Sequence, residues 1–302
     1  MQKKILFLCM TLLCSLAAKG SSQEKRAEPC PQDSAGFAQV QQKAAQKDPA
    51  AETSLAACYD LGLHVPPNGR ESIRLLTDAA DQGYEPAEYE LGRIYLYGRG
   101  VPADYPRAFV WESKAGEQGD SRAQRDLAFM YERGFGVPAD PAKAAEWNRK
   151  AAGHGVAEAQ LHLGEALESG AGVTADPAEA RQWYAKAARQ DQPAAQLRLA
   201  RNYAQAGDCR AAAHWYKEAT AGGEAQAAYE LGKLFLAKNC GADPAQAFLW
   251  FAVGERLGSP ECKVEAAKIA PQLTAAKKKN AGLAADRWVK QHASQRRDKD
   301  QD

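Results

Sequence analysis

The sequence predicts an all-α fold, a solenoid of stacked helix-turn-helix repeats, on three observations. The stretch GRGVPADYPRAFVWESKAGEQG (Gly98–Gly119) returns 36 residues on as GFGVPADPAKAAEWNRKAAGHG (Gly134–Gly155), and again as GAGVTADPAEARQWYAKAARQD (Gly170–Asp191). Tryptophan falls once per unit, at Trp111, Trp147, Trp183, Trp215 and Trp250, at intervals of 36, 36, 32 and 35. Within a unit the apolar and small residues keep helical spacing, as at Ala87, Leu91, Ile94 and Tyr95. Neither helix of such a unit can bury its stripe alone, whereas stacked neighbours can.

Taken in order, residues 1–20 join a basic start, the apolar run ILFLCMTLLCSLAA and the small residues AAKG. That is the pattern of a cleavable secretory signal peptide, too short for a comfortable membrane span. Lipid attachment wants a small residue before the cysteine, but Cys9 follows Leu8 and Cys14 follows Leu13, so a lipoprotein is not expected. Residues 21–49 form a polar leader and an N-terminal capping helix (Ala35–Asp48). Six units follow over 50–259, at 50–84, 85–120, 121–156, 157–192, 193–224 and 225–259. In the fullest units, Gly at the end of the first helix supplies the left-handed conformation of a C-cap, as at Gly98 and Gly100. Asp140-Pro141 and Asp176-Pro177 then start the second helix as N-cap and first helical residue, and Glu179 completes a capping-box-like pattern. The first unit replaces the glycine turn with HVPPNG, and the turns around Cys209 and Cys240 are shortened; loops absorb deletions that helix packing does not. One or two closing helices over 260–292 and a polar, frayed tail over 293–302 complete the sequence.

The protein has 302 residues, 45% hydrophobic and 25% charged. Removal of residues 1–20 takes away Lys3, Lys4 and Lys19 and no acid, leaving 36 basic and 38 acidic residues. So balanced a surface argues against nucleic acid. Without a later run of comparable apolarity, no transmembrane segment is expected in the mature protein. In an exported protein the five remaining cysteines are read first as disulfide candidates. Cys209 and Cys240 lie in equivalent turns of adjacent units, where stacking brings them together, so they are expected to pair. Cys262 follows Gly258 by four residues as Ala227 follows Gly223, a buried small-residue slot that predicts a free thiol. Cys30 and Cys58 are left as the second pair.

The repeated A-x-x-x-L-G-x-x-Y-x-x-G-x-G-V-x-x-D followed by A-x-x-W-x-x-K-A-A-x-x-G resembles the Sel-1-like repeat, a relative of the tetratricopeptide repeat. Units 85–192 carry it most fully, with Gly100-Val101, Gly136-Val137 and Gly172-Val173, whereas Ala128 and Ala200 replace the glycine after leucine. The resemblance implies a right-handed α-solenoid with its concave face lined by first helices, and scaffold or adaptor work. For exported bacterial members it implies periplasmic partners, peptidoglycan-related processes or neutralisation of a toxin.

Catalytic constellations are absent from the sequence. His64, His154, His162, His214 and His292 have no H-E-x-x-H or C-x-x-C companion, so neither metal nor cofactor is expected. No G-x-S-x-G occurs, and the one S-x-x-K (Ser22–Lys25) lies in the leader without S-D-N or K-T-G. The G-x-G turns read as helix caps rather than phosphate cradles, and the tryptophans as core. The protein is therefore expected not to be an enzyme. Function is sought where the units differ. Around the aligned leucines Leu91, Leu127, Leu163, Leu199 and Leu231, the preceding residues are Glu90, Asp126, His162, Arg198 and Glu230. Two residues after each leucine stand Arg93, Phe129, Glu165, Arg201 and Lys233. These ten residues form the expected protein-binding strip, a mixed-charge surface with one exposed aromatic. Reversal of its solvated cations is expected to leave stability unchanged. The expectation is a periplasmic or secreted, non-catalytic scaffold for a protein partner, in a narrower form an immunity protein that neutralises a secreted antibacterial effector such as a phospholipase. The alternative is a cell-wall or β-lactam binding protein with weak hydrolase activity.

Overall fold

The computed structural model describes residues 26–299; the signal segment 1–20, the Ser22–Lys25 motif and residues 300–302 lie outside the described residues. Among the described residues there are fifteen α-helices and no strand. They fall into two compact units divided after Asp120. The first holds α1 (Ser34–Ala45), α2 (Pro49–Leu61), α3 (Gly69–Ala80), α4 (Glu85–Tyr97) and α5 (Tyr105–Gln118). The second holds α6 (Ser121–Arg133), α7 (Pro141–Gly153), α8 (Ala157–Ser169), α9 (Pro177–Ala188), α10 (Pro193–Gln205) and α11 (Cys209–Ala221). It continues with α12 (Ala225–Leu234), α13 (Pro244–Arg256), α14 (Pro260–Ile269) and α15 (Ala275–Lys299). Helices α2 to α13 pair as first and second helix of six repeats, each pair in contact and each packed on the next within its unit.

One device closes every repeat. Each second helix starts at an Asp or Asn whose side chain accepts from the first free N–H groups: Asn68, Asp104, Asp140, Asp176, Asp208 and Asp243. The same residue's own N–H donates back to the end of the first helix, from Asp104 to the Tyr95 carbonyl (2.8 Å) and from Asp176 to that of Leu167 (2.8 Å). A single residue thus caps one helix with its side group while its backbone ties down the other, satisfying groups that helix ends leave open. The capping box expected at Glu179 does not close. Its backbone N–H donates to Asp176 (2.9 Å), but its carboxylate turns to the Trp183 indole N–H (3.0 Å) and to Arg149 (2.6 Å).

The aligned leucines Leu91, Leu127, Leu163, Leu199 and Leu231 are buried. The tryptophans depart from the expectation of core. Trp250 is buried, but Trp111, Trp147, Trp183 and Trp215 are only half-buried. Three of these rings are covered by the lysine three residues on: Lys114, Lys150 and Lys186 lie 3.9, 3.8 and 3.6 Å from the ring centroids. The interior belongs to the residue after each tryptophan: Glu112, Asn148, Tyr184, Tyr216 and Phe251. The glycine after the aligned leucine makes room for it, since a Cβ at Gly164 would meet the Tyr184 ring at 2.5 Å and one at Gly232 the Phe251 ring at 2.4 Å. Burial pushes the Tyr216 hydroxyl up to about 12.

Cys30 is bonded to Cys58 and Cys209 to Cys240, while Cys262 is free and buried. Burial raises the Cys262 thiol above its ordinary range, which keeps it protonated and unreactive. Two closing helices follow the last repeat, and the second departs from the expected boundary: α15 runs on through residues 293–299, where the sequence suggests a frayed tail.

Candidate protein-binding face

The strip residues sit on the first helices α4, α6, α8, α10 and α12. Their leucine neighbours face inward, so these positions fall at the edge of the buried stripe, where long polar side chains keep their heads in solvent. In the second unit the structure joins them across repeats. Arg198 of α10 donates to Glu165 of α8 (2.7 Å), which also meets His162 Nδ1 (3.3 Å). Arg201 of α10 reaches Glu230 of α12 (3.4 Å). Donation from the His162 imidazolium to the Glu165 carboxylate holds the charged ring and raises its pKa. That same bond, with Arg198 behind it, lowers the pKa of Glu165. Because Arg201 has this partner, its reversal is not the neutral change expected of a solvated charge; Glu would face Glu230.

Four residues outside the expected strip complete the ladder. Glu168 accepts from the Tyr184 hydroxyl (3.0 Å) and from Asn202 (3.2 Å), and Gln226 donates to Glu230 (3.2 Å). Glu168 follows Glu165 by one helical turn, a spacing that places it on the same face. The rest of the strip is less uniform. Asp126 is buried, its carboxylate held by its neighbour Arg125 (2.6 Å), and so belongs to the packing rather than the surface. Phe129 is 38% exposed and rests edge-on against Phe135 at 5.6 Å. Lys233 lies over the Tyr229 ring at 5.3 Å. In the first unit Glu90 stands 3.9 Å from Arg99, and Arg93 lies between two tyrosine rings.

Among the described residues no cluster of three His, Cys, Asp or Glu side chains is placed to hold a metal. No described helix is long and apolar enough to cross a membrane. Two disulfides indicate an oxidising environment. The fold is a repeat-built α-solenoid, the architecture of a scaffold for protein interactions.

The protein belongs to the Sel1 repeat family. The family model matches residues 49–84, 85–120, 121–156, 157–192, 193–224 and 225–259, and such repeats are generally non-catalytic scaffolds. Among solved structures, it is similar to c5321, a protective antigen of uropathogenic Escherichia coli with an SLR fold. The two are 32% identical over 85% of the present sequence, with a TM-score of 0.72, and the match spans 56% of the length of that antigen. It is also similar to a Sel1 repeat protein from Oxalobacter formigenes, at 30% identity over 75% of the present sequence and 92% of that one, with a TM-score of 0.60. An immunity protein from Pseudomonas aeruginosa aligns at 18% identity over 76% of the present sequence and 84% of that one. Its TM-score of 0.37 is too low for the likeness to carry a functional argument. No curated protein matches the sequence.

Proposed function

We propose that the protein is an exported adaptor that holds another protein against the first-helix face. Phe129, His162, Glu165, Arg198, Arg201, Glu230 and Lys233 make the contacts in the second unit, and Glu90 and Arg93 in the first. The observation that carries this reading is the ladder of half-buried charges across three successive repeats, Glu165 to Arg198 and Arg201 to Glu230. Polar side chains fixed in register on a rigid scaffold suit a protein surface, where complementary charge sets specificity more than raw affinity. The signal-peptide pattern of residues 1–20 and the two disulfides support the periplasm or the exterior as the place of action. In the narrower form of the proposal, the held protein is a secreted antibacterial effector such as a phospholipase, neutralised before it harms the producer.

The test is a charge swap. Arg201→Glu alone should lose capture of the envelope partner and some stability. Adding Glu230→Arg should restore the ion pair and the stability but not capture, because the polarity met by the partner is inverted. A swapped protein that captures its partner as well as wild type would reduce the ladder to a repeat-repeat tie and remove the basis of the proposal.

A further inference from the structure

Arginine on the first helices of the second unit is consistently neutralised. Arg125 meets Asp126 at 2.6 Å, Arg198 meets Glu165 at 2.7 Å and Arg201 meets Glu230 at 3.4 Å. Arg93 on α4 of the first unit is half-buried as they are, yet it has no such partner. Its Nε is shielded from solvent with no acceptor, and no carboxylate of the described residues stands within ion-pair distance. What it has instead is two rings. The guanidinium carbon lies 5.7 Å from the Tyr89 centroid and 5.5 Å from that of Tyr97, the residues one helical turn to either side. Tyr89 is buried and Tyr97 is 52% exposed, so one wall of the site is fixed and the other open. Contacts with ring faces hold and orient a guanidinium but occupy none of its in-plane N–H donors. Nε is closed to a ligand, so the two terminal nitrogens are the part of this oriented fork that matches a carboxylate, which accepts two N–H donors in parallel.

We propose that Arg93 receives a single carboxylate from the partner protein, with Tyr97 as the open wall of the site; this rests on the reading of the first-helix face as the binding surface. The neighbourhood sets the limit to one carboxylate. Glu90, one helical turn before Arg93 on α4, lines a cleft of about 230 Å³ together with Glu28, Asp60, Leu61 and Arg99, and these acids repel a second anionic group. A nucleic acid or other polyanion is thereby disfavoured. An Asp or Glu side group and the terminal carboxylate of a polypeptide present the same chemistry, so the test must separate them.

The experiment uses the full-length protein labelled with ¹⁵N, and reads the Arg93 Nε–H signal, identified by its loss in Arg93→Lys. Its shielding from water favours slow exchange and a visible peak. Three probes are titrated: acetyl-Gly-Gly-Glu-Gly-Gly-amide, acetyl-pentaglycine with a free C-terminus, and the Gln counterpart of the first. A saturable movement with either carboxylate peptide and none with the Gln peptide is the expected result, and the peptide that binds identifies the source. The Lys variant, which keeps the charge but not the fork, should bind that peptide at least about tenfold more weakly. A signal that stays fixed with both carboxylate peptides, or moves equally with the Gln peptide, overturns the proposal on the unmodified protein alone. That failure is distinguishable from failure of the broader reading. The latter would appear as unchanged partner capture by the Arg201/Glu230 swap while the peptide still bound at Arg93.

Discussion

Gly172 and Gly100 occupy the same place in their repeats, the second glycine of the G-x-G turn, and alanine should affect them very differently. Both have positive φ, +72° and +74°. A Cβ in that region costs roughly 1–2 kcal/mol against its own backbone, the same at both sites. At Gly172 a Cβ would also lie 2.2 Å from the Pro141 carbonyl carbon and 2.5 Å from the Ala142 nitrogen, at the start of α7. Helix backbone cannot yield as a flexible side group does, so overpacking adds about 1–3 kcal/mol. At Gly100 nothing lies within 4 Å. There the turn borders a cleft of about 470 Å³ lined by Arg70, Ile73 and Val101. Gly172→Ala should therefore cost about 2–5 kcal/mol in all, and Gly100→Ala roughly 1–2. Urea denaturation compares the totals. Hydrogen exchange at Ala142 and Lys143, whose N–H groups donate to Asp140, reads the local effect without assuming that a repeat array unfolds in one step. Equal losses in the two variants, or undiminished protection at Ala142 and Lys143 in Gly172→Ala, would refute the packing of this turn on the preceding repeat.

Trp250→Ala should cost roughly 3–5 kcal/mol, whereas half-buried Trp147 should cost about 1–2; equal losses in thermal unfolding would contradict the burial assigned to them. The His162–Glu165 contact should be most stabilising between the ordinary carboxylate and imidazole values, roughly pH 4.3 to 6.5. It should fade above that window as His162 deprotonates through its raised pKa, and below it as Glu165 protonates through its lowered one. An NMR titration that puts His162 at or below roughly 6.5 would contradict this. Under a graded dithiol series, mass spectrometry should find Cys209–Cys240 opening before Cys30–Cys58, since the first is half-exposed and the second buried. Cys262 should resist alkylation until the protein unfolds, and early labelling would contradict its burial.

The helices and turns are legible in the sequence because their requirements are written in residue type. A left-handed C-cap calls for Gly and an N-cap for Asp, so the period, the six pairs and both shortened turns can be read directly. Size alone assigns the tryptophans to the core, although the W-x-x-K spacing at Trp147 and Lys150 already places a lysine over the ring. The candidate face is legible in its positions but not in its contacts. Aligning equivalent positions finds Glu165, Arg198, Arg201 and Glu230, but the contacts run diagonally between repeats, and alignment in register does not display diagonal neighbours. Burial of Asp126 leaves no local signal, since the adjacent Arg125 that holds it looks like any other surface cation. The continuation of α15 past residue 292 is hidden by the tail's polar composition, which is compatible with either helix or coil.

The central claim is that the partner lies along the first helices, and site-specific photo-crosslinking in the cell envelope tests it most directly. A photoreactive residue is placed in turn at Phe129 and Lys233 on the first-helix face, and at Arg181 and Arg189, exposed positions of the second helix α9 and its C-cap. The account predicts one discrete crosslinked protein from Phe129 and Lys233, and none in common from Arg181 or Arg189. The same adduct from the α9 positions, with none from Phe129 or Lys233, would contradict it.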